Sequence, residues 1–243
     1  MRTKRKVAIV TGSGRRLGRQ IAISLAKKGY NLILNYHHSA LEAKDTAKII
    51  RTYGVRAVPI RADISKKLEV QRMINRTIRE FGQIDLLVNN TSIFLESSLL
   101  TTTEKKWDAT IDINLKGTFL CSQAVAPYML KQKKGRIINI ASLGGLQPWK
   151  EHLPYSISKA GVIMLTKILA GTLAPDIHVN AIAPGTIYLD GEEKSGVKHI
   201  PVESIPLKRY GNSKDITDMI IFLSTTSRYI TGQIIPIDGG RSI

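Results

Sequence analysis

Lys6-Val-Ala-Ile-Val-Thr11 runs directly into Gly12-Ser-Gly-Arg-Arg-Leu-Gly18, and this stretch decides the fold. The first part is a short apolar run, which predicts a buried strand. Residues 20–28 then have a helical pattern, so the glycines lie between a strand and a helix. Glycines in that position let a dinucleotide approach the backbone, and the helix N-terminus offers N–H groups and a positive dipole end to its diphosphate. The stretch therefore predicts a dinucleotide-binding site at the first strand.

Strand-like runs alternate with helical patterns along the rest of the chain, with no linker between them. The predicted strands cover residues 6–11, 31–36, 55–61, 85–90, 135–141, 177–182 and 233–238. This alternation predicts an α/β fold: a seven-stranded, parallel, doubly wound (Rossmann) sheet with helices on both faces. A length of 243 residues suits a single domain, 1–243. The polar residues 186–200 predict a mobile loop over the substrate site.

The residues after the second strand bear on the choice of cofactor. An acidic residue there would bind the ribose 2′-hydroxyl of NAD and repel the 2′-phosphate of NADP. This chain has His37, His38 and Ser39 instead, and Arg15 and Arg16 of the glycine turn could pair with that phosphate. The pattern predicts NADP(H); the alternative is a solvated basic loop.

Polar side chains also end the third and fourth predicted strands. Asp63 could accept a hydrogen bond from an adenine amino group, or it could bond within its own loop through Ser65. Asn89 and Asn90 could tie down neighbouring loops or lie beside a cofactor ribose.

A second stretch, Tyr155-Ser-Ile-Ser-Lys159, predicts the chemistry. Pro154 can begin a helix, and in that helix Tyr155 and Lys159 lie one turn apart on one face. An ammonium beside a phenol favours the phenolate, so we expect a lowered pKa for Tyr155 and a proton donor usable near neutral pH. Ser142 ends the fifth strand, where its hydroxyl could bond an oxygen that gains charge. The alternative is an exposed tyrosine and lysine without a catalytic role.

These candidates share one position in the predicted fold. Parallel sheets bind ligands outside the carboxyl ends of their strands. The arginine turn, Asp63, Asn89, Ser142 and the Pro184-Gly185 pair all follow such ends. The sequence therefore predicts one site at that edge of the sheet.

Composition narrows the function classes. The formal net charge is +17, which suits anionic ligands or an acidic partner protein; the basic residues are scattered, so we expect no specific nucleic-acid function. The single cysteine, Cys121, falls on an apolar helix and is interpreted as a core residue. The histidines show no metal-ligand spacing, so no metal is expected. We expect no membrane span and a cytoplasmic location.

Taken together, the motifs resemble the short-chain dehydrogenase/reductase family over essentially the whole length. They are Thr11-Gly12 to Gly18, Asp63, Asn89-Asn90, Asn114, Ser142, Tyr155-x-x-x-Lys159, Pro184-Gly185 and Ile237-Asp-Gly-Gly240. The resemblance implies that Tyr155 is the acid/base, that Lys159 lowers its pKa and binds the nicotinamide ribose, and that Ser142 polarises the substrate carbonyl. It implies that Asn114 holds a water in a proton relay. It also implies a homotetramer with helices around 113–130 and 154–173 at its interfaces.

The implied cofactor site is a larger set. It comprises Gly12, Arg15, Arg16, Leu17, Gly18, His37, His38, Ser39, Asp63, Ile64, Asn90, Tyr155, Lys159, Pro184, Gly185 and Ile187. The implied substrate site comprises Arg16, Ser92, Phe94, Ser142 and Tyr155.

Two departures from the family pattern are similar to pteridine reductases. Arg16 stands where the family usually has the middle glycine of the turn, and Thr91-Ser92 stands where it has Ala-Gly. Phe94 would then stack on a pterin. Ser142 points the other way, because pteridine reductases usually have Asp there and ordinary carbonyl reductases have Ser. The main expectation is an NADPH-dependent reductase of the pteridine type. The alternative is a reductase of 3-oxoacyl-[acyl-carrier-protein] thioesters or another ketone, for which the positive charge would attract an acidic carrier protein.

Overall fold

A computed structural model describes residues 5–189 and 200–243. Its centre is a parallel sheet of seven strands in the order β3-β2-β1-β4-β5-β6-β7. The strands are β1 Val7–Val10, β2 Asn31–Tyr36, β3 Ala57–Arg61, β4 Leu86–Asn89, β5 Gly135–Ile140, β6 Ile177–Pro184 and β7 Ile234–Ile237. The predicted number and direction of the strands are confirmed.

Helices cover both faces of this sheet. They are α1 Arg16–Lys27, α2 Ala40–Arg51, α3 Lys67–Phe81, α4 Glu104–Ile111, α5 Gly117–Lys131, α6 Leu153–Leu173 and α7 Ser213–Ile221. One buried cluster includes Ile9, Met73 and Val125, on the face of α3 and α5; another includes Val10, Ile21 and Ile220, on the face of α1 and α7. Successive β1 residues thus point into different cores, which requires strands that are apolar on both faces.

The strand order reverses between β1 and β4. From β1 the chain continues outward to β2 and β3 on one side, and then returns to β4 on the other side. Loops after adjacent strands diverge at such a point and leave a crevice at the carboxyl ends. The topology alone therefore places a binding site beside the turn that follows β1.

Two helices differ from the sequence expectation. Helix α1 begins at Arg16 rather than at Gln20, with Arg16 in the left-handed region at φ 52°. The helix expected around 113–130 begins in a π-helical segment, Asp112–Lys116, that joins α4 to α5. Hydrophobic periodicity does not distinguish a π turn from an α turn over so few residues.

Helix α6 is long and apolar enough to cross a membrane by length and composition alone, which the sequence reading did not anticipate. Its residues Val162, Ile163 and Ala170 are buried against the domain, and it carries the buried Lys159. Val162 and Ile163 pack in one cluster with Ala181 and Ala183 of β6, whereas Met164 and Ile168 on the same helix are exposed.

The predicted mobile loop is described only at its ends. Residues 186–189 and 200 belong to the described part of the chain, and 190–199 lie outside it. Ile187 forms a bridge with Gly211, so the start of this segment is joined to the residues before α7.

Candidate active site

A cavity of about 920 Å³ runs along the carboxyl ends of the strands. All of the residues predicted to bind cofactor or substrate line it, whereas Asn114 does not. Turn residues after β1 form one end, and Tyr155 with its neighbours forms the other. The residues that were predicted to lie together at one edge of the sheet do lie together there.

The turn after β1 is closely packed around its glycines. A Cβ on Gly18 would lie 2.2 Å from the carbonyl oxygen of Gly12 and 2.6 Å from Nδ2 of Asn90. Gly12 itself has a φ of 63°, which side chains other than glycine rarely adopt. The first and last glycines of the motif are therefore required for the shape of the turn. Arg16 adopts the left-handed region although it is not a glycine. This backbone conformation is less favourable than the usual one by about 1–2 kcal/mol.

Basic groups surround the ends of β2 and β3. The rings of His37 and His38 lie 3.8 Å apart, and Nε of Arg61 donates to the carbonyl oxygen of His37 at 3.3 Å. Of the residues that line the described cavity, only Glu42 and Asp63 are acidic, and both lie at this end. Arg61 is the last residue of β3 and is not among the residues that line the described cavity.

Asp63 bonds mainly within its own loop. Its Oδ1 accepts from the backbone N of Ser65 at 2.9 Å and from the Ser65 hydroxyl at 2.8 Å. Burial raises the pKa of Asp63, but the two hydrogen bonds from Ser65, together with the nearby His37 and Lys66, outweigh it, and the net pKa is lowered. The loop-bonding alternative is therefore present in the structure, and a role toward adenine stays a prediction.

The two asparagines after β4 have different tasks. Nδ2 of Asn90 donates to the carbonyl oxygens of Thr11 and Gly12, at 2.9 and 3.3 Å. Asn89 is buried and donates to Asn139 on β5 at 2.8 Å. Asn90 thus ties down the glycine turn, which is one of the two roles expected for these asparagines.

Tyr155 and Ser142 meet at the other end of the cavity. Ser142 follows β5, its Oγ accepts from the backbone N of Gly144 at 3.1 Å, and its side chain acts to lower the pKa of the Tyr155 phenol. Pro154 stands in the first turn of α6, as expected, and so places Tyr155 one residue later. A ligand oxygen at this point can meet both hydroxyl groups.

The expected lowering of the Tyr155 pKa is wrong for this structure. Burial raises the pKa of the phenol, and the interaction with Ser142 offsets only part of that rise. Lys159 is itself buried, which lowers its pKa from 10.5 to about 7, so its charge is not fixed near neutral pH. Its Nζ donates to the carbonyl oxygen of Ile140 at 2.8 Å and lies 5.6 Å from the centre of the Tyr155 ring. The sequence argument assumed a permanent ammonium and left out the cost of burying it.

Asn114 lies in the π-helical segment and is 1% exposed. Its side-chain oxygen accepts from the backbone N of Ile93 at 2.8 Å, and its Nδ2 donates to the Ile93 carbonyl and to the Ser158 hydroxyl, each at 3.0 Å. The side chain therefore joins the loop after β4 to α6. Its implied part in a proton relay through water stays a prediction.

Aromatic side chains cover Tyr155. The ring of Phe94 stands edge-on to that of Tyr155 with centroids 4.7 Å apart, and it stacks on His152 at 4.1 Å. The Trp149 ring lies nearly parallel to the Tyr155 ring, at 13° and 6.1 Å. Ser92 is exposed at the same rim. Trp149 and His152 were missed because they lie in an irregular loop between Ser142 and α6, where no periodic pattern marks a site.

No group of three or more His, Cys, Asp or Glu side chains suited to a metal ion occurs among residues 5–189 and 200–243. Cys121 is buried, as the apolar helix indicated.

Comparison with known proteins agrees with this geometry. A family model described as enoyl-(acyl carrier protein) reductase, a short-chain dehydrogenase/reductase model, matches residues 12–242. The chain belongs to the short-chain dehydrogenase/reductase family. It is therefore an oxidoreductase that uses a nicotinamide cofactor.

Relatives within this family carry several names. The chain is 43% identical over 239 residues to a 3-oxoacyl-[acyl-carrier-protein] reductase of Staphylococcus epidermidis, covering 97% of this chain and 98% of the relative. The crystal structure of acetoin dehydrogenase from Enterobacter cloacae superposes with a TM-score of 0.90 at 33% identity, covering 98% and 96% of the two chains. That of NAD⁺-bound xylitol dehydrogenase does so with a TM-score of 0.90 at 29% identity, covering 98% and 100%. The similarity to 3-oxoacyl-[acyl-carrier-protein] reductases favours the alternative expectation over the pteridine-reductase type.

Proposed function

We propose that this protein is an NADPH-dependent 3-oxoacyl-[acyl-carrier-protein] reductase, which converts a 3-keto thioester to the 3-hydroxy thioester. The observation that carries the proposal is that Ser142 and Tyr155 line the same end of the cavity, in a chain that matches a reductase of that name over 97% of its length. An aspartate in place of Ser142 would have indicated a different proton route.

The cavity residues fit a phosphorylated dinucleotide. The glycine turn brings backbone N–H groups of α1 to its surface, and Arg15, Arg16, His37 and His38 offer cationic or donor groups around the end of β2. A 2′-phosphate carries two negative charges, which these groups can stabilise. Glu42 lines the same region and would favour NAD, but the basic and donor groups there outnumber it. NADPH would supply the hydride that reduces the keto carbon.

The chain's own residues then handle the oxygen and the proton. The keto oxygen accepts hydrogen bonds from the hydroxyls of Ser142 and Tyr155, which stabilise the negative charge that develops on it. Tyr155 gives its proton to that oxygen, and the alcohol results. Protonated Lys159 within 5.6 Å of the ring centre stabilises the phenolate that is left. Asn114 positions the loop after β4 and Ser158 of α6.

The +17 net charge supports an acidic carrier protein as the partner that delivers the acyl group. We also propose a cytoplasmic homotetramer. Exposed apolar residues on α6, namely Ile157, Met164 and Ile168, support a contact between subunits there.

The arrangement of Phe94 and Arg16 supports a second candidate function, dihydropterin reduction. Phe94 stands edge-on to Tyr155 at the rim and Arg16 lines the same cavity, an arrangement able to hold a flat heterocycle. Ser142→Asp separates the two functions. If the enzyme reduces thioesters, this variant should lose most of that activity, because a carboxylate repels the developing oxyanion. A variant that instead gains dihydropterin turnover would favour the second candidate.

A further inference from the structure

An arginine at the substrate end of the cavity has no part in the function proposed above. Arg241 lies in the C-terminal segment after β7 and lines the cavity together with Trp149. Its guanidinium carbon is 5.9 Å from the centre of the Trp149 ring, and that ring is 6.1 Å from the ring of Tyr155. The guanidinium therefore lies within about 12 Å of the Tyr155 ring.

The protein uses little of the hydrogen-bonding capacity of this guanidinium. Nη1 of Arg241 reaches Oγ1 of Thr186 at 3.5 Å, which is long for a hydrogen bond. In the part of the chain that the structure describes, no carboxylate lies within 4.0 Å of Arg241. The backbone is held separately, since the carbonyl oxygen of Arg241 accepts from Nε2 of Gln147 at 3.4 Å. A half-buried guanidinium with five donors and an aromatic ring beneath it is suited to a ligand oxygen.

Charge in the cavity is divided along its length. The two acidic lining residues, Glu42 and Asp63, lie at the end that Arg15 and Arg16 share. At the substrate end, the described lining residues with basic side chains are His152, Lys159 and Arg241. Lys159 is committed to the Ile140 carbonyl below Tyr155, so Arg241 is the cation best placed to contact a substrate group away from the reacting carbon.

We propose that Arg241 binds a second oxygen of the substrate, beside the ketone that Ser142 and Tyr155 hold. The compound class is a 1,3-dicarbonyl, and on the proposed function, on which this inference rests, the second oxygen is the thioester carbonyl. The Arg241 guanidinium and the Tyr155 ring lie within about 12 Å of each other. The phenol, a short dicarbonyl unit and two hydrogen bonds of about 2.8 Å, one at each end, can span that distance. Arg241 thereby selects 3-oxoacyl thioesters over simple ketones.

The test compares two substrates that differ in that oxygen alone. Acetoacetyl-N-acetylcysteamine carries the thioester carbonyl, and its thioether analogue has a methylene group there. NADPH oxidation gives kcat and KM for the wild type, R241M, R241K and the control K150M, which removes an exposed lysine next to Trp149 that does not line the cavity. We expect R241M to lower kcat/KM for the thioester about 10- to 100-fold, mainly through KM, because a charge-assisted hydrogen bond is lost.

The other variants define the specificity of the effect. R241M should change the thioether reaction by less than about 2-fold, R241K should fall between the wild type and R241M for the thioester, and K150M should change neither. Equal losses on both substrates, or an unchanged thioester reaction in R241M, would overturn the role of Arg241.

A binding measurement separates this inference from the proposed function. In a W107F background, Trp149 fluorescence is titrated with 3-hydroxybutyryl-N-acetylcysteamine in the presence of NADP⁺. We expect Kd to rise at least 10-fold in R241M. If the wild type turns over no thioester but binds the hydroxy thioester, and R241M binds it at least 10-fold more weakly, the proposed function fails and the subsite stands. A Kd that does not depend on Arg241 overturns the subsite, whatever the activity.

Discussion

Replacing the buried lysine should stabilise the cofactor-free protein while it removes activity. Lys159 is 2% exposed, and burial lowers its pKa from 10.5 to about 7. Each pKa unit is worth about 1.36 kcal/mol, so keeping the ammonium buried below pH 7 costs about 5 kcal/mol. Lys159→Met removes this cost but leaves the Ile140 carbonyl without its 2.8 Å donor, a loss of about 1–3 kcal/mol. The net expectation is a gain of about 2–4 kcal/mol below pH 7.

The pH dependence identifies the cause. Between pH 7 and 10.5 the unfolded chain holds the lysine proton and the folded chain does not, so the free energy of unfolding of the wild type rises with pH in that window. Lys159→Met has no such proton. Its advantage should therefore be full below pH 7 and should shrink toward zero, or reverse, near pH 10.5.

Urea unfolding at pH 6, 7, 8, 9 and 10 measures this difference directly. Lys150→Met is the matched control, because Lys150 is exposed and should show no pH-dependent difference from the wild type. The reasoning is refuted if Lys159→Met is no more stable than the wild type at pH 6, or if its stability difference is the same at every pH.

Four further changes test the site. Tyr155→Phe should leave NADPH affinity within about 2-fold and remove turnover, measured by fluorescence titration and NADPH oxidation, because only the proton donor is lost; unaffected turnover would sink the mechanism. Ser142→Ala removes the hydroxyl that lowers the pKa of Tyr155, so kcat should fall and the tyrosine-dependent limb of the pH–rate profile should move to higher pH; a limb that stays in place or moves down would contradict this. Gly18→Ala places a Cβ 2.2 Å from the Gly12 carbonyl oxygen and should abolish cofactor binding in a titration; full binding would show that the turn can relax. Arg15→Met should weaken NADPH about 10-fold and NADH little, and equal losses for both would exclude a contact with the 2′-phosphate.

The fold could be predicted because its signals are local and repeated. Each strand is an apolar run between helical patterns, and parallel pairing brings the residues after those runs to one edge without any knowledge of contacts. The glycine turn, Ser142 and the Tyr155–Lys159 pair could be found in this way, since each sits at a strand end or at a helix start.

The site residues and pKa shifts that could not be predicted from the sequence depend on three-dimensional packing. Trp149, His152 and Arg241 come from an irregular loop and from the C-terminal segment, and only tertiary structure brings them around Tyr155. The pKa of Lys159 depends on its burial, which spacing within a helix does not reveal. The choice between the bonding partners of Asp63 likewise depended on the local loop geometry.

The central claim concerns the substrate. The most direct measurement is NADPH oxidation by the purified protein near neutral pH, with a 3-oxoacyl thioester and a dihydropterin tested side by side. The Tyr155→Phe variant serves as the inactive control. The account predicts turnover of the thioester that Tyr155→Phe removes, with little or no turnover of the dihydropterin. Turnover of the dihydropterin alone would contradict it, and would mean that Arg16 and Phe94 set the substrate with Ser142 in the place of the usual aspartate.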